Sequence, residues 1–169
     1  MIGYRMMAVL ALTATCLAGG SVVLAEASSR YGELLGHYDA IRLALLADAL
    51  AEVPAAASKL ADTASNLGED LSPEVAGVAA EDFETLEPVL KEIAFLAQRL
   101  GQATDLDTAR QELFLLTRPM ARYRRLVGDD ETIVAYCSMA QKAWIQPDGE
   151  LGNPYMGQSM PRCGEVVGE

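Results

Sequence analysis

The sequence predicts an all-α protein: an antiparallel helical bundle of three to four helices, closed by an irregular C-terminal cap that contains a short β-hairpin. Three observations carry that expectation. Apolar residues recur at spacings of three and four through most of the span from Tyr31 to Val127, the period of one buried helix face. Glycine and proline punctuate that span at a few places, then crowd the stretch "GNPYMGQSMPRCG". After Asp129-Asp130 the pattern becomes β-branched and partly alternating in "TIVAY", which is strand chemistry.

The first helix begins at Tyr31 and buries Leu34, Tyr38, Ile41, Leu45 and Ala49. Pro54 interrupts, and "AAASKLADTASNLG" continues the helix or starts a second one that ends at Gly68. Ser72-Pro73 is an N-cap and first-turn pair that opens the next stretch, with Pro88 kinking or restarting it. Phe83, Leu86, Leu90, Ile93, Ala97 and Leu100 then form a regular stripe, which Gly101 closes. Thr104 to Asp107 supply oxygen acceptors for the next N-terminus, and Leu106, Ala109, Leu113, Leu116, Met120, Tyr123 and Val127 repeat the alternation, with a kink expected at Pro119. The short gap between these two stripes makes them an antiparallel pair. Beyond Val127, "WIQPDGEL" reads as two extended pieces joined by a Pro-Asp-Gly turn, with Tyr136, Trp144 and Tyr155 anchoring the cap to the bundle.

Residues 1–27 have the pattern of a secretory signal peptide. Arg5 supplies the positive start, "MMAVLALTATCLAGGSVVL" the apolar region, and Ala25-Glu26-Ala27 the small-residue cleavage site. The expected division is thus 1–27 leader, 28–128 bundle and 129–169 cap, in an exported, periplasmic protein. Lipid anchoring through Cys16 is the less favoured alternative, because Thr13-Ala14-Thr15 is a poor lipobox. Loss of the leader leaves Cys137 and Cys163 as the thiols of an exported chain, the setting for a disulfide.

With 169 residues, 51% of them hydrophobic, the chain has material for one packed domain. Its net charge of −11 argues against nucleic acid as a partner. After the leader no apolar run approaches the roughly 20 residues that span a bilayer.

Several enzyme classes are excluded by what is missing. A single histidine, His37, rules out ordinary zinc-protease, blue-copper and Ser-His-Asp arrangements, and no Gly-rich phosphate loop is present. His37 itself reads as a surface or boundary imidazole near Glu33. The carboxylates Glu81, Asp82, Glu84 and Glu87 read as a solvated helix face, and Arg118, Arg122, Arg124 and Arg125 as a surface cluster at a helix C-terminus, with Arg122 or Arg125 able to pair with Asp129 or Asp130. The chain is therefore expected not to be an enzyme.

The sulfurs remain. "CSMAQKAWIQPDGELGNPYMGQSMPRCGE" carries Cys137 and Met139 at one end, Met160 and Cys163 at the other, and Met156 nearby. Thiolate and thioether are soft donors suited to Cu(I) or Ag(I). In that reading Cys137, Met139, Met160 and Cys163 are the ligands, Met156 is a reserve ligand, and Tyr136 and Trp144 shield the site. In the alternative, Cys137 and Cys163 form a disulfide that closes a loop of about 27 residues, worth about 3.5 kcal/mol in loop entropy, and "NPYMG" is presented as a binding loop on a structural or protein-interaction module. The separation of the cysteines and the lack of a C-x-x-C motif argue against a thiol oxidoreductase.

The same residues resemble an exported "domain of unknown function" family that occurs alone or fused to the membrane-fusion adaptors of copper and silver efflux systems. Cys137, Met139 and Ala140 match its Cys-Pro-Met-Ala, and Trp144 its tryptophan-bearing hairpin. Asn153, Pro154, Tyr155 and Gly157 match its Asn-Pro-Tyr-aromatic-Gly loop, and Met160 with Cys163-Gly164 its ending. "TARQELFLLTRPM" is similar, more loosely, to a helical segment of that family. Ser138 replaces the family's proline and Met156 its aromatic, the latter adding a sulfur. What the resemblance implies is heavy-metal handling at the cell envelope, with an efflux or metallochaperone partner. The metal and disulfide readings then stand level, and the two alternate with redox state.

Overall fold

The computed structural model describes residues 19–69, 71–72, 75 and 78–167, with side chains described from Arg30 onward. The chain runs α1 (Gly19–Leu46), a 3-10 turn (Leu50–Glu52), α2 (Val53–Glu69), α3 (Phe83–Gly101), α4 (Leu106–Val127), β1 (Thr132–Cys137), β2 (Lys142–Pro147), a 3-10 turn (Gly157–Ser159) and β3 (Glu165–Val167). Helix α1 packs on α2, α2 on α3, α3 on α4, and α4 back on α1, while β2 lies against α4. The fold is mostly helical, with a small antiparallel sheet of order β2-β1-β3 at its C-terminal end.

The three-four stripes become the core. Tyr31, Leu34, Tyr38, Ile41 and Leu45 of α1 meet Leu60 and Ala64 of α2, Leu90 and Ile93 of α3, and Leu113, Met120 and Tyr123 of α4 in one buried cluster. Helix α4 begins where Asp105 accepts a hydrogen bond from the Thr108 amide at 2.8 Å and ends at Gly128, which adopts the left-handed conformation with φ 66°. Both ends follow from cap chemistry readable in the sequence.

Several expectations need correction. The break before α2 is made not by Pro54 but by the turn at Ala47–Ala49, where Asp48 is left-handed with φ 57°; Ala49 therefore lies outside the helix. Pro54 is the second residue of α2, where a missing amide costs nothing. Pro88 and Pro119 sit inside α3 and α4, and both helices continue through them. Pro119 is itself buried among Leu116, Met120 and Tyr123, so the packing of that face holds the helix together where one backbone bond is lost. Ser72 does cap its turn, its hydroxyl accepting from the Val75 amide at 3.3 Å. Pro73 lies outside the described residues, and the stripe starts afresh at Phe83 after a turn at Ala79–Asp82. Helix α1 starts at Gly19, upstream of the apolar stripe and across the expected leader boundary. Residues 1–18, Cys16 among them, lie outside the described residues. Among the described residues no helix is long and apolar enough to cross a membrane.

The cap differs from its sequence reading in its hairpin. The turn joining the paired strands is Ser138–Gln141, between β1 and β2, and the Pro-Asp-Gly segment leaves the end of β2 instead. Gln141 closes that turn in the left-handed region, φ 54°. A third strand, β3, adds to the other edge of β1.

Buried polar bonds fix the cap on the bundle. The Ile145 amide donates to the Tyr38 hydroxyl at 3.3 Å, Tyr38 bonds Thr117 at 2.8 Å, and Thr117 donates to the Leu113 carbonyl at 2.9 Å. Tyr155 donates to the Ala143 carbonyl at 2.6 Å. Arg124, expected on the surface, is buried instead: it donates to the Thr132 hydroxyl and carbonyl at 2.9 and 2.8 Å and lies 3.5 Å from Asp129. Arg122 pairs with Glu92 at 3.7 Å, not with an aspartate of the following loop.

Burial pushes the phenols of Tyr38 and Tyr123 up to about 12 and raises those of Tyr31 and Tyr155 as well. A phenol raised on folding adds stability below its unfolded value, about 10, and that stability is lost as pH rises through the folded value. Tyrosinate absorbance from the buried rings is therefore expected to stay silent at pH ~10 and to appear nearer pH ~12 together with loss of helical circular dichroism. Buried tyrosines that ionise near pH 10 with the helices intact would contradict the packing described.

Candidate functional site

Strand geometry brings the two cysteines together. Cys137 is the last residue of β1, and Tyr136 pairs with Glu165 across β1 and β3. Continuing that register sets Gly164 opposite Cys137, so Cys163 is a diagonal neighbour at the end of the ladder. The two Sγ atoms are 3.1 Å apart although the residues are separated by 26 positions. Gly164 is needed there: its φ is 149°, and a Cβ would lie 2.6 Å from the Trp144 ring and 3.1 Å from the Tyr136 carbonyl. Trp144, fully buried, is thus the floor on which the Cys163–Gly164 backbone rests.

Asn153 holds the other side. Fully buried, it donates to the Cys163 carbonyl at 2.6 Å and accepts from the Tyr155 and Met156 amides at 2.8 and 3.1 Å. Its own amide donates to the Pro161 carbonyl at 2.7 Å. One side chain therefore ties the "NPY" loop to the segment carrying Cys163. Pro154 and Tyr155 are buried behind it, and Tyr155 packs edge-on against Trp144 with ring centroids 6.1 Å apart.

Two arginines clamp this loop to the bundle. Arg42 of α1 pairs with Asp39 at 2.6 Å and donates to the Gly152 carbonyl at 2.9 Å. Arg110 of α4 donates to the Pro154 carbonyl at 2.9 Å and pairs with Asp48, whose other oxygen accepts from the Gln158 amide at 3.2 Å. Sequence reasoning missed Arg42, Arg110 and Asp48. As isolated charges on helices α1 and α4 and in the turn after α1, they carry no local signal of partners more than forty positions away.

The electrostatics of the pair are unequal. Burial pushes the Cys137 thiol up, but the amides of Ala140 (3.4 Å from Sγ) and Met139, the Cys163 thiol and the Asn153 side chain outweigh it and bring Cys137 below the ordinary thiol value. Cys163 is raised, first by its hydrogen bond with Cys137 and then by burial. Of the two, Cys137 is therefore the sulfur whose ionised form its surroundings favour, and Cys163 the one whose protonated form they favour.

The methionines are less gathered than the cysteines. Met139 lies in the turn that follows Cys137 and is 65% exposed. Met160 is half-buried at the start of the turn that Cys163 closes, its carbonyl accepting the Cys163 amide at 3.2 Å. Met156 packs against the hydrophobic core. Tyr136 is half-buried and lines a shallow groove of about 190 Å³ with Ser138, Gly164 and Glu165, beside the cysteine pair. Among the described residues no group of three or more His, Cys, Asp or Glu is placed to hold a metal ion.

No family model, no curated protein and no solved structure matches this chain.

Proposed function

We propose that the chain is an exported soft-metal-binding protein, taking Cu(I) or Ag(I) at Cys137 and Cys163, and serving as an accessory to a heavy-metal efflux or metallochaperone partner at the cell envelope. The observation that supports this best is the 3.1 Å approach of two cysteines, one of them favoured as thiolate by amide donors. Soft donors of this kind select Cu(I) or Ag(I) over oxygen-seeking cations. Met139, exposed beside Cys137, and Met160, beside Cys163, complete the donor set, with Met156 in reserve and Trp144 and Tyr136 limiting water at the site.

The same distance favours a second reading. Two thiolates on a tetrahedral ion at ~2.3 Å lie ~3.8 Å apart, whereas disulfide sulfurs lie about 2.05 Å apart. At 3.1 Å the pair stands between these states, and a small side-chain motion reaches either. Oxidised, Cys137–Cys163 is a staple for a structural or protein-interaction module; reduced, it is a ligand pair.

The double variant Met139→Leu/Met160→Leu tests the donor set. Leucine conserves volume, so stability is expected to change by less than about 1.5 kcal/mol, while Cu(I) affinity of the reduced protein falls at least about tenfold, as for disturbed metal sites generally. Unchanged affinity removes both methionines from the site.

A further inference from the structure

We propose that Cys137 and Cys163 form a thiol–disulfide exchange site, in which Cys163 is the sulfur a partner thiol reaches and Cys137 is the leaving and resolving sulfur. Sequence separation argued against such chemistry, but the β1–β3 register removes that objection by setting the sulfurs 3.1 Å apart. The two are not equivalent in access. Cys137 is fully buried at the end of β1, whereas Cys163 is partly exposed. A shallow groove lined by Tyr136, Ser138, Gly164 and Glu165 includes the residue that follows each cysteine.

The chemistry balances with thiols as the only co-reactant. A thiolate attacks Cys163 Sγ; the new sulfur–sulfur bond forms as the Cys137–Cys163 bond breaks, and the electron pair stays on the leaving Cys137 Sγ, to which the Ala140 amide donates a hydrogen bond at 3.4 Å. A second thiolate attacks the substrate sulfur of that mixed disulfide, releasing a substrate disulfide and Cys163, which takes up a proton. Two thiols are oxidised and one protein disulfide is reduced. Run backwards, a substrate disulfide reoxidises the pair, with Cys137 resolving the adduct on Cys163. Asn153 keeps the Cys163 backbone in place while its side chain turns outward.

This inference is independent of metal, so its test is run on the whole chain with a Cu(I) chelator present and with Cys16→Ser in every sample, which leaves Cys137 and Cys163 as the only thiols of the reference protein. The reduced wild type, Cys137→Ser and Cys163→Ser are each exposed to oxidised glutathione, acid-quenched at intervals, and read by mass. Expected are a persistent single glutathione adduct in Cys137→Ser, an adduct forming at least about tenfold more slowly in Cys163→Ser because of burial, and in the wild type a transient adduct on Cys163 that gives way to the intramolecular disulfide. Equal rates in the two variants, or a wild-type adduct on Cys137, would overturn the assignment. Should a variant lose its helical circular dichroism, the wild-type adduct mapped by peptide mass decides alone. A disulfide untouched by reduced glutathione refutes exchange and leaves the metal reading to be decided separately by copper uptake after stronger reduction.

Discussion

Trp144→Ala is expected to destabilise the protein by about 3–5 kcal/mol, the range for removing a large aromatic from a packed core. The indole is fully buried, donates to Gln146 at 2.9 Å, packs against Tyr155, and supports the backbone of Gly164 next to the cysteine pair. Its loss opens a cavity between cap and bundle and leaves the Gln146 oxygen bonded only by the Gly152 amide. Urea unfolding measures the stability change. In the same variant, thiol-reagent labelling of Cys137 is expected to accelerate, because the floor that holds Cys163 across its sulfur is gone. A loss below about 1 kcal/mol would mean that the sheet does not depend on this contact.

Asn153→Ala has the second largest expected effect, about 2–4 kcal/mol, since it strands the Tyr155 and Met156 amides and the Cys163 carbonyl in a buried setting. The consequence reaches the site directly. Without the 2.6 Å bond to its carbonyl, the Cys163 segment loses its register beside Cys137. The pair then forms its disulfide more slowly and binds metal more weakly even where the bundle stays folded. Measuring disulfide formation at a urea concentration well below the unfolding midpoint separates this local effect from global instability. A variant that oxidises as fast as the wild type removes Asn153 from the positioning of the pair.

The helices were legible because their information is local. Leu86, Leu90, Ile93, Ala97 and Leu100, and then Ala109, Leu113, Leu116, Met120 and Tyr123, are all buried as their spacing implies. Pro54 misled, because the break falls at the Ala47–Ala49 turn before it, whereas Pro119 lies inside its helix as its place in the stripe implies. The hairpin misled for a related reason. Pro-Asp-Gly is a strong turn signal, yet the register that buries Ala135, Trp144 and Ile145 together puts the reversal at Ser138–Gln141. Gln141 in a left-handed conformation has no sequence mark, and three-residue β3 is too short to show one.

The site was legible in its parts and not in its distances. Residue type pointed to Cys137 and Cys163, but only the β1–β3 ladder makes them neighbours. Tyr155 was legible as an anchor from its aromatic character, whereas Asn153 stood out only through resemblance and its work as a tie appears only in space. Arg124, read as one of a surface cluster, turned inward because Thr132 and Asp129 offer it partners at the entrance to the sheet.

The proposed soft-metal role requires Cys137 and Cys163 to be a reduced, metal-competent dithiol in a protein that also tolerates its oxidation. The most direct test is a free-thiol count on the protein purified from an oxidising compartment, before and after mild reduction, followed by anaerobic Cu(I) titration of the reduced form against a competing chelator. Cys137 and Cys163 are expected to be recovered as free thiols, with one Cu(I) taken up per chain and uptake abolished by oxidation. Recovered thiols that take no copper would contradict the soft-metal role, and would leave Cys137 and Cys163 as a staple for the surface formed by the "NPYMG" loop.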